Sequence, residues 1–147
     1  MAATGVDVFD RSIQETNVWL KAIMRELETD DRHLACTALR ATLHALRDRI
    51  GPENAVHLGA QLPTLIRGLY YEGWHMAGTP TKERHKTDFL EHVAWTFAGR
   101  KGIESEQIAR AVFNVMWEKV DPGEVAKVIK LLPEALRELW PRIARED

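Results

Sequence analysis

Residues 37–70, TALRATLHALRDRIGPENAVHLGAQLPTLIRGLY, fall without a gap on residues 107–140, QIARAVFNVMWEKVDPGEVAKVIKLLPEALRELW, when shifted by 70 positions. Seven pairs are identical: Arg40/Arg110, Ala41/Ala111, Pro52/Pro122, Leu62/Leu132, Pro63/Pro133, Arg67/Arg137 and Leu69/Leu139. Ordinary amino-acid usage would give about two over that length. Leu43/Phe113, Leu46/Met116, Ile50/Val120, Leu58/Val128, Ile66/Leu136 and Tyr70/Trp140 keep their apolar or aromatic character. Apolar positions thus match apolar positions, and both pairs of prolines recur where a helix must stop or restart.

The flanking segments extend the pattern. Phe9, Ile13, Thr16, Leu20, Ile23 and Leu27 recur at steps of three and four, which predicts one amphipathic helix with that stripe inward. Asp30 is the expected N-cap of the next. In that helix Leu39, Leu43, Leu46 and Ile50 form one face and Leu34, Ala38, Ala41 and Ala45 another, so it should be central; His33, Thr37, Arg40, His44 and Asp48 are left as its solvent edge. Pro52 starts a third helix, and Pro63 breaks the following segment near Leu62. Residues 73–81, GWHMAGTPT, read as a loop. Periodicity returns at Phe89, Val93 and Phe97, stops over residues 99–102, and resumes over residues 105–120; Asp121-Pro122 with Glu124 is a helix start. No stretch alternates in the manner of a strand. The expectation is an all-α protein of about eight helices, in two tandem four-helix units related by a pseudo-twofold around one shared core. Residues 1–147 form a single domain in this reading, with the internal repeat at 9–74 and 85–143 joined by the loop 75–84.

Composition bounds the function. At 147 residues the chain is long enough for a real core, and its single cysteine, Cys36, forms no internal disulfide. No apolar run reaches the roughly 20 residues of a membrane span, and residues 1–10 lack the basic start and apolar core of a signal peptide. A reduced, cytoplasmic protein is expected. Twenty basic residues against 22 acidic ones give a net charge of −2, so no general field holds a polyanion, and nucleic acid is not the expected partner.

One resemblance runs through the repeat. Leu62-Pro63 with Arg67 and Tyr70, then Tyr71-Glu72-Gly73-Trp74, Pro80, Lys82 and Arg84, and the closing Leu132-Pro133 with Arg137, Leu139 and Trp140, resemble the bacterial family catalogued as domain of unknown function 2267. The similarity spans residues 9–140, and the Tyr-Tyr-Glu-Gly-Trp stretch is its most specific part. The resemblance implies an all-helical bacterial protein and brings no catalytic residues with it.

Candidate chemistry is sparse. His85, Asp88 and His92 share a helix face at metal-ligand steps, but the two histidines lie about 10 Å apart along the axis, too far for one ion, so no metal is expected. Cys36 sits on an apolar arc, Ser12 and Ser105 near helix starts, and no phosphate loop follows a strand, which argues against nucleophilic or nucleotide chemistry. No cofactor is expected. The basic run Lys82, Arg84, His85 and Lys86, with Arg100 and Lys101 further on, is interrupted by Glu83 and Asp88 and reads as a solvated helix start. Arg67 and Arg137 each follow a helix-starting proline by four residues; together with Pro52, Pro63, Pro122 and Pro133 they read as structural. Trp95 lies off the Phe89–Val93 stripe and Trp117 stands at the rim of its helix, both as candidate interface anchors. The segment without a counterpart in the second half is where a demand beyond folding would show: Tyr71, Trp74, Lys82 and Arg84 are expected to border a groove between the units. The resulting expectation is a non-enzymatic interaction or ligand-binding module taking a protein partner or a small ligand, or forming a homodimer; the alternative is a regulatory protein binding nucleic acid, or a metal through His85, Asp88 and His92, and an enzyme is least expected.

Overall fold

Trp19, Ile23 and Leu27, at steps of four, are buried on one side of α1 (Asp7–Leu27), and the same spacing builds every long helix of the chain. The computed structural model describes residues 4–95 and 104–145. Among them α1 is followed by α2 (Arg32–Ile50), α3 (Pro52–Gly59), α4 (Thr64–Tyr71), α5 (Lys86–Trp95), α6 (Ser105–Lys119), α7 (Pro122–Leu131), α8 (Glu134–Arg137) and α9 (Arg142–Arg145), with no strand. Phe97, Arg100, Lys101 and the expected break at residues 99–102 lie outside the described residues.

Helix α2 packs against α1, α3, α4, α5 and α6, and is the centre of the fold. Its small residues make that possible: Ala35, Ala38 and Ala45 are fully buried beside Leu39, Leu43 and Leu46, letting neighbouring helices approach on several sides. The buried apolar residues form one cluster drawn from both halves of the sequence, including the pairs Leu43/Phe113, Leu46/Met116, Leu62/Leu132, Ile66/Leu136 and Tyr70/Trp140. Helix starts also coincide at the 70-residue offset. Pro52 and Pro122 each open a helix, and Pro63 and Pro133 each stand immediately before Thr64 and Glu134.

Two local expectations are corrected. The N-cap of α2 is Asp31, whose carboxylate accepts the Leu34 amide at 3.0 Å, because α1 ends through a left-handed Glu28 (φ 53°) and the chain needs the extra residue to turn. Phe9 is 56% exposed, since the first turns of α1 extend past the helices that cover its later ones. The expected count of about eight helices compares with nine among the described residues, the closing segment being divided into the short α8 and α9.

The paired arginines hold the proline corners. Arg67 donates from Nε to the Gly59 carbonyl (2.9 Å) and from its terminal nitrogen to Leu62 (2.9 Å), while Arg137 donates to Leu132 (2.7 Å) and Lys130 (3.1 Å). These carbonyls end α3 and α7, where no further turn of helix can receive them. A planar guanidinium spans two such acceptors at once. Arg67→Ala and Arg137→Ala should therefore each lower unfolding stability by about 1–3 kcal/mol in urea titrations, with lysine restoring less than half of it.

Candidate functional site

Arg40, His44 and Arg47 lie at steps of four and three on α2, and this stripe faces the C-terminal end of α4, where backbone carbonyls are left without helical partners. His44 Nε2 is 2.6 Å from the Leu69 carbonyl. A carbonyl only accepts, so Nε2 carries the proton; burial holds the ring below its ordinary pKa, the neutral form. Arg47 donates from one terminal nitrogen to the carbonyls of Tyr70 (2.8 Å) and Glu72 (3.0 Å), and from Nε to Asp48 Oδ1 (2.8 Å). It is only 4% exposed. Arg40 Nε lies 2.9 Å from the Glu72 carboxylate, without the alignment of a hydrogen bond.

The strap of residues 72–85, which joins α4 to α5, is laid back over the end of α2. The Thr81 amide donates to the Asp48 carbonyl (2.8 Å), and Arg49 Nε donates to the Glu83 carbonyl (2.7 Å). Glu83 turns inward: its carboxylate accepts from the Thr81 hydroxyl (2.7 Å) and faces His92 Nδ1 at 3.3 Å. Asp48 faces the other ring nitrogen, Nε2, at 3.5 Å. His92 of α5 is thus held between two carboxylates. Their hydrogen bonds, Asp48 first and Glu83 second, outweigh burial and raise its pKa to about 9, so the ring is an imidazolium at neutral pH. Burial alone would raise both carboxyls, but His92 and Arg47 at Asp48, and His92 and Thr81 at Glu83, hold them below their ordinary range.

Aromatic rings cover this cluster. Tyr71 and Trp74 stack with centroids 5.5 Å apart, and the Arg47 guanidinium lies 5.9 Å from the Trp74 ring centre. Gly59 makes room for the Tyr71 and Tyr70 rings, because a Cβ there would overlap the Tyr71 phenol and press on the Tyr70 ring. The Tyr70 hydroxyl, deeply buried, donates to the Ala55 carbonyl at 2.6 Å.

The structure thus joins Tyr71 and Trp74, both half-buried against the core, whereas Lys82 and Arg84 lie on the strap on either side of the inward Glu83. His85 is exposed, and His92 turns away from it and from Asp88 toward Asp48 and Glu83. The two carboxylates sit on opposite nitrogens of one ring, so their oxygens do not converge on a single ion; among the described residues no group of His, Cys, Asp and Glu is arranged to hold a metal. Asp48 and His44, expected at the solvent edge of α2, are inside the cluster because the strap and α4 cover that edge. Trp117 is half-buried and packs on the core. Trp95 is 83% exposed; the preceding residue, Ala94, lines a shallow hollow of about 270 Å³ together with Thr87, Leu90, Glu91 and Ser105. Arg47 and Glu83 do not stand out as site residues in the sequence; the step from Arg40 and His44 to Arg47 is the available sign.

The model of the family described as "Uncharacterized conserved protein (DUF2267)" matches residues 16–139, most of the chain. No curated protein matches it significantly.

The charged cluster predicts a pH dependence of definite sign. His92 binds its proton more tightly folded than unfolded, so its contribution is complete below its ordinary pKa of 6.5 and is lost as pH rises through about 9. Asp48 and Glu83, shifted downward, contribute above their ordinary values and lose that contribution as pH falls through the lowered ones. Urea unfolding of the protein should lose about 2–3 kcal/mol across the alkaline window, and His92→Gln should flatten that slope while leaving the rest of the profile in place.

Proposed function

The chain belongs to the DUF2267 family, and from that premise we propose that it is a non-enzymatic interaction module of the bacterial cytoplasm that docks a protein partner on the outer face of α5. The observation that carries the reading is Trp95 of α5, whose indole is 83% exposed and which follows Ala94, a residue that with Leu90 lines part of an open hollow. An exposed indole beside a concave apolar patch is the arrangement that interface anchors use, and it brings large contact area at low entropic cost. The same reading takes the two halves of the chain as four-helix units about an approximate twofold, one domain whose strap distinguishes the first unit from the second.

The polar cluster supports a non-enzymatic role by how its groups are used. His92, charged on both nitrogens, accepts no proton at neutral pH. Glu83, held below the ordinary carboxylate range, is a poor base for the Thr81 hydroxyl bonded to it. Arg47, Asp48, Glu83 and His92 carry two charges of each sign and neutralise one another, and their geometry is that of a fastening. A second reading keeps a small ligand beside Tyr71, Trp74, Lys82 and Arg84: the Trp74 Nε1 donor, like that of Trp140, is buried without an acceptor among the described residues.

A photo-crosslinking residue at position 95, with the exposed position 57 as control, tests the docking face in native cells. Discrete adducts from position 95 and none from 57 are expected. Trp95→Ala should also change unfolding stability by less than about 0.5 kcal/mol, as an exposed side chain does. Loss of several times that amount, or equal crosslinking from both positions, contradicts the reading.

A further inference from the structure

Just before α5 the strap alternates in burial. Thr81, Lys82, Glu83 and Arg84 are in turn half-buried, exposed, half-buried and exposed. The Thr81 hydroxyl donates to the Glu83 carboxylate at 2.7 Å, so these two share the inner side. Lys82 and Arg84 leave from the outer side, their backbone positions about 7 Å apart at two extended residues. Arg49 comes from α2 to the same place, where its Nε donates to the carbonyl of Glu83, the residue between them, at 2.7 Å. That bond anchors the guanidinium and leaves both of its terminal nitrogens without an acceptor among the described residues. Three cations thus meet at one short piece of backbone.

No ion pair among the described residues cancels their charge. Asp48 and Glu83 are turned to His92, and with Arg47 and His92 they form a set whose charges sum to zero. Asp88, in the first turn of α5, and Glu53, in the first turn of α3, make no ion pair with Arg49, Lys82 or Arg84. We propose that Arg49, Lys82 and Arg84 form an anion site that takes a phosphoryl group, as free phosphate or as a small phosphate monoester. A phosphoryl dianion offers three oxygens and two charges to these three donors, whereas a carboxylate offers two oxygens and one charge. The site is also small. Its strap cations stand about 7 Å apart, and residues 77–88 carry no Phe, Tyr or Trp on which a base could stack, so a compact dianion fits better than a nucleic-acid strand. The site shares Lys82 and Arg84 with the small-ligand reading, but it rests neither on Tyr71 and Trp74 nor on the α5 face.

Titration of the nitrogen-15-labelled full chain with inorganic phosphate and with phenyl phosphate tests this at about pH 7.5, where a monoester with a second pKa of about 6 is a dianion. At constant low ionic strength the amides of residues 82–84 and the Arg49 Nε should shift along one saturating curve, with a dissociation constant of about a millimolar for three exposed charge-assisted contacts. Acetate should bind at least about five-fold more weakly, having one charge. Lys82→Gln and Arg84→Gln should each weaken phosphate binding about three- to ten-fold and keep the helical circular dichroism, both side chains being exposed, while Arg11→Gln on α1 should leave binding unchanged. The Trp74 indole signal should stay in place, which keeps this site apart from the small-ligand reading. Shifts that do not saturate, acetate binding as well as phosphate, or unchanged affinity in both strap variants would overturn the proposal. A Trp74 shift with none at residues 82–84 would move the anion to the other groove, and tighter binding of a single-stranded oligonucleotide than of phosphate would make the patch a nucleic-acid contact; either contradicts the site proposed.

Discussion

A guanidinium buried in the middle of the protein decides how the first half of the chain closes. Arg47 leaves water only because three acceptors surround it: two carbonyls at the end of α4 and the Asp48 carboxylate. A buried charge without such partners would cost several kcal/mol, so the end of α4, the start of the strap and the end of α2 are bound to one geometry. Asp48 then carries the constraint outward. Its second oxygen faces His92 on α5, His92 faces Glu83, and the Glu83 backbone is held by Arg49. Each charge in the series has an opposite neighbour, and the series ends where it began, on α2.

The second half shows what the same helices do without that constraint. At the 70-residue offset Trp117 stands for Arg47, Asn114 for His44 and Pro141 for Tyr71. There the helix after the paired proline, α8, covers four residues where α4 covers eight, and Arg110 reaches back to the Glu138 carbonyl. Trp140, in the place of Tyr70, stacks flat on Phe113 at 4.1 Å instead of donating to a carbonyl as Tyr70 does. A longer α4 thus coincides with side chains able to receive its last carbonyls.

Helix-level features are legible in the sequence because they rest on local rules: proline at helix starts, three-and-four spacing of apolar residues, and small residues on a helix enclosed from several sides. The paired arginines are legible as structural because recurrence in two contexts points to what those contexts share. The charged cluster is not. Arg47, Asp48 and His44 look like ordinary solvent-edge residues of α2, and only the distant strap and α4 make them interior. Glu83 reads as an interruption of a basic run, whereas its inward turn is what leaves Lys82 and Arg84 outside. His92 groups with His85 and Asp88 in the sequence because they share a helix face, but its partners come from α2 and the strap, 44 and nine positions away in the chain. Long-range electrostatic pairing of this kind has no period to read.

The claim on which the account turns is that His92 is a permanent cation fastening the strap, and a direct measurement of its ring settles it. Nitrogen-15 spectra of the labelled imidazole, recorded across pH, report both ring nitrogens separately. The account predicts both protonated through neutral pH, with a midpoint near 9. A midpoint at or below the ordinary 6.5 would show His92 free to exchange its proton in the neutral range, and would contradict the fastening role.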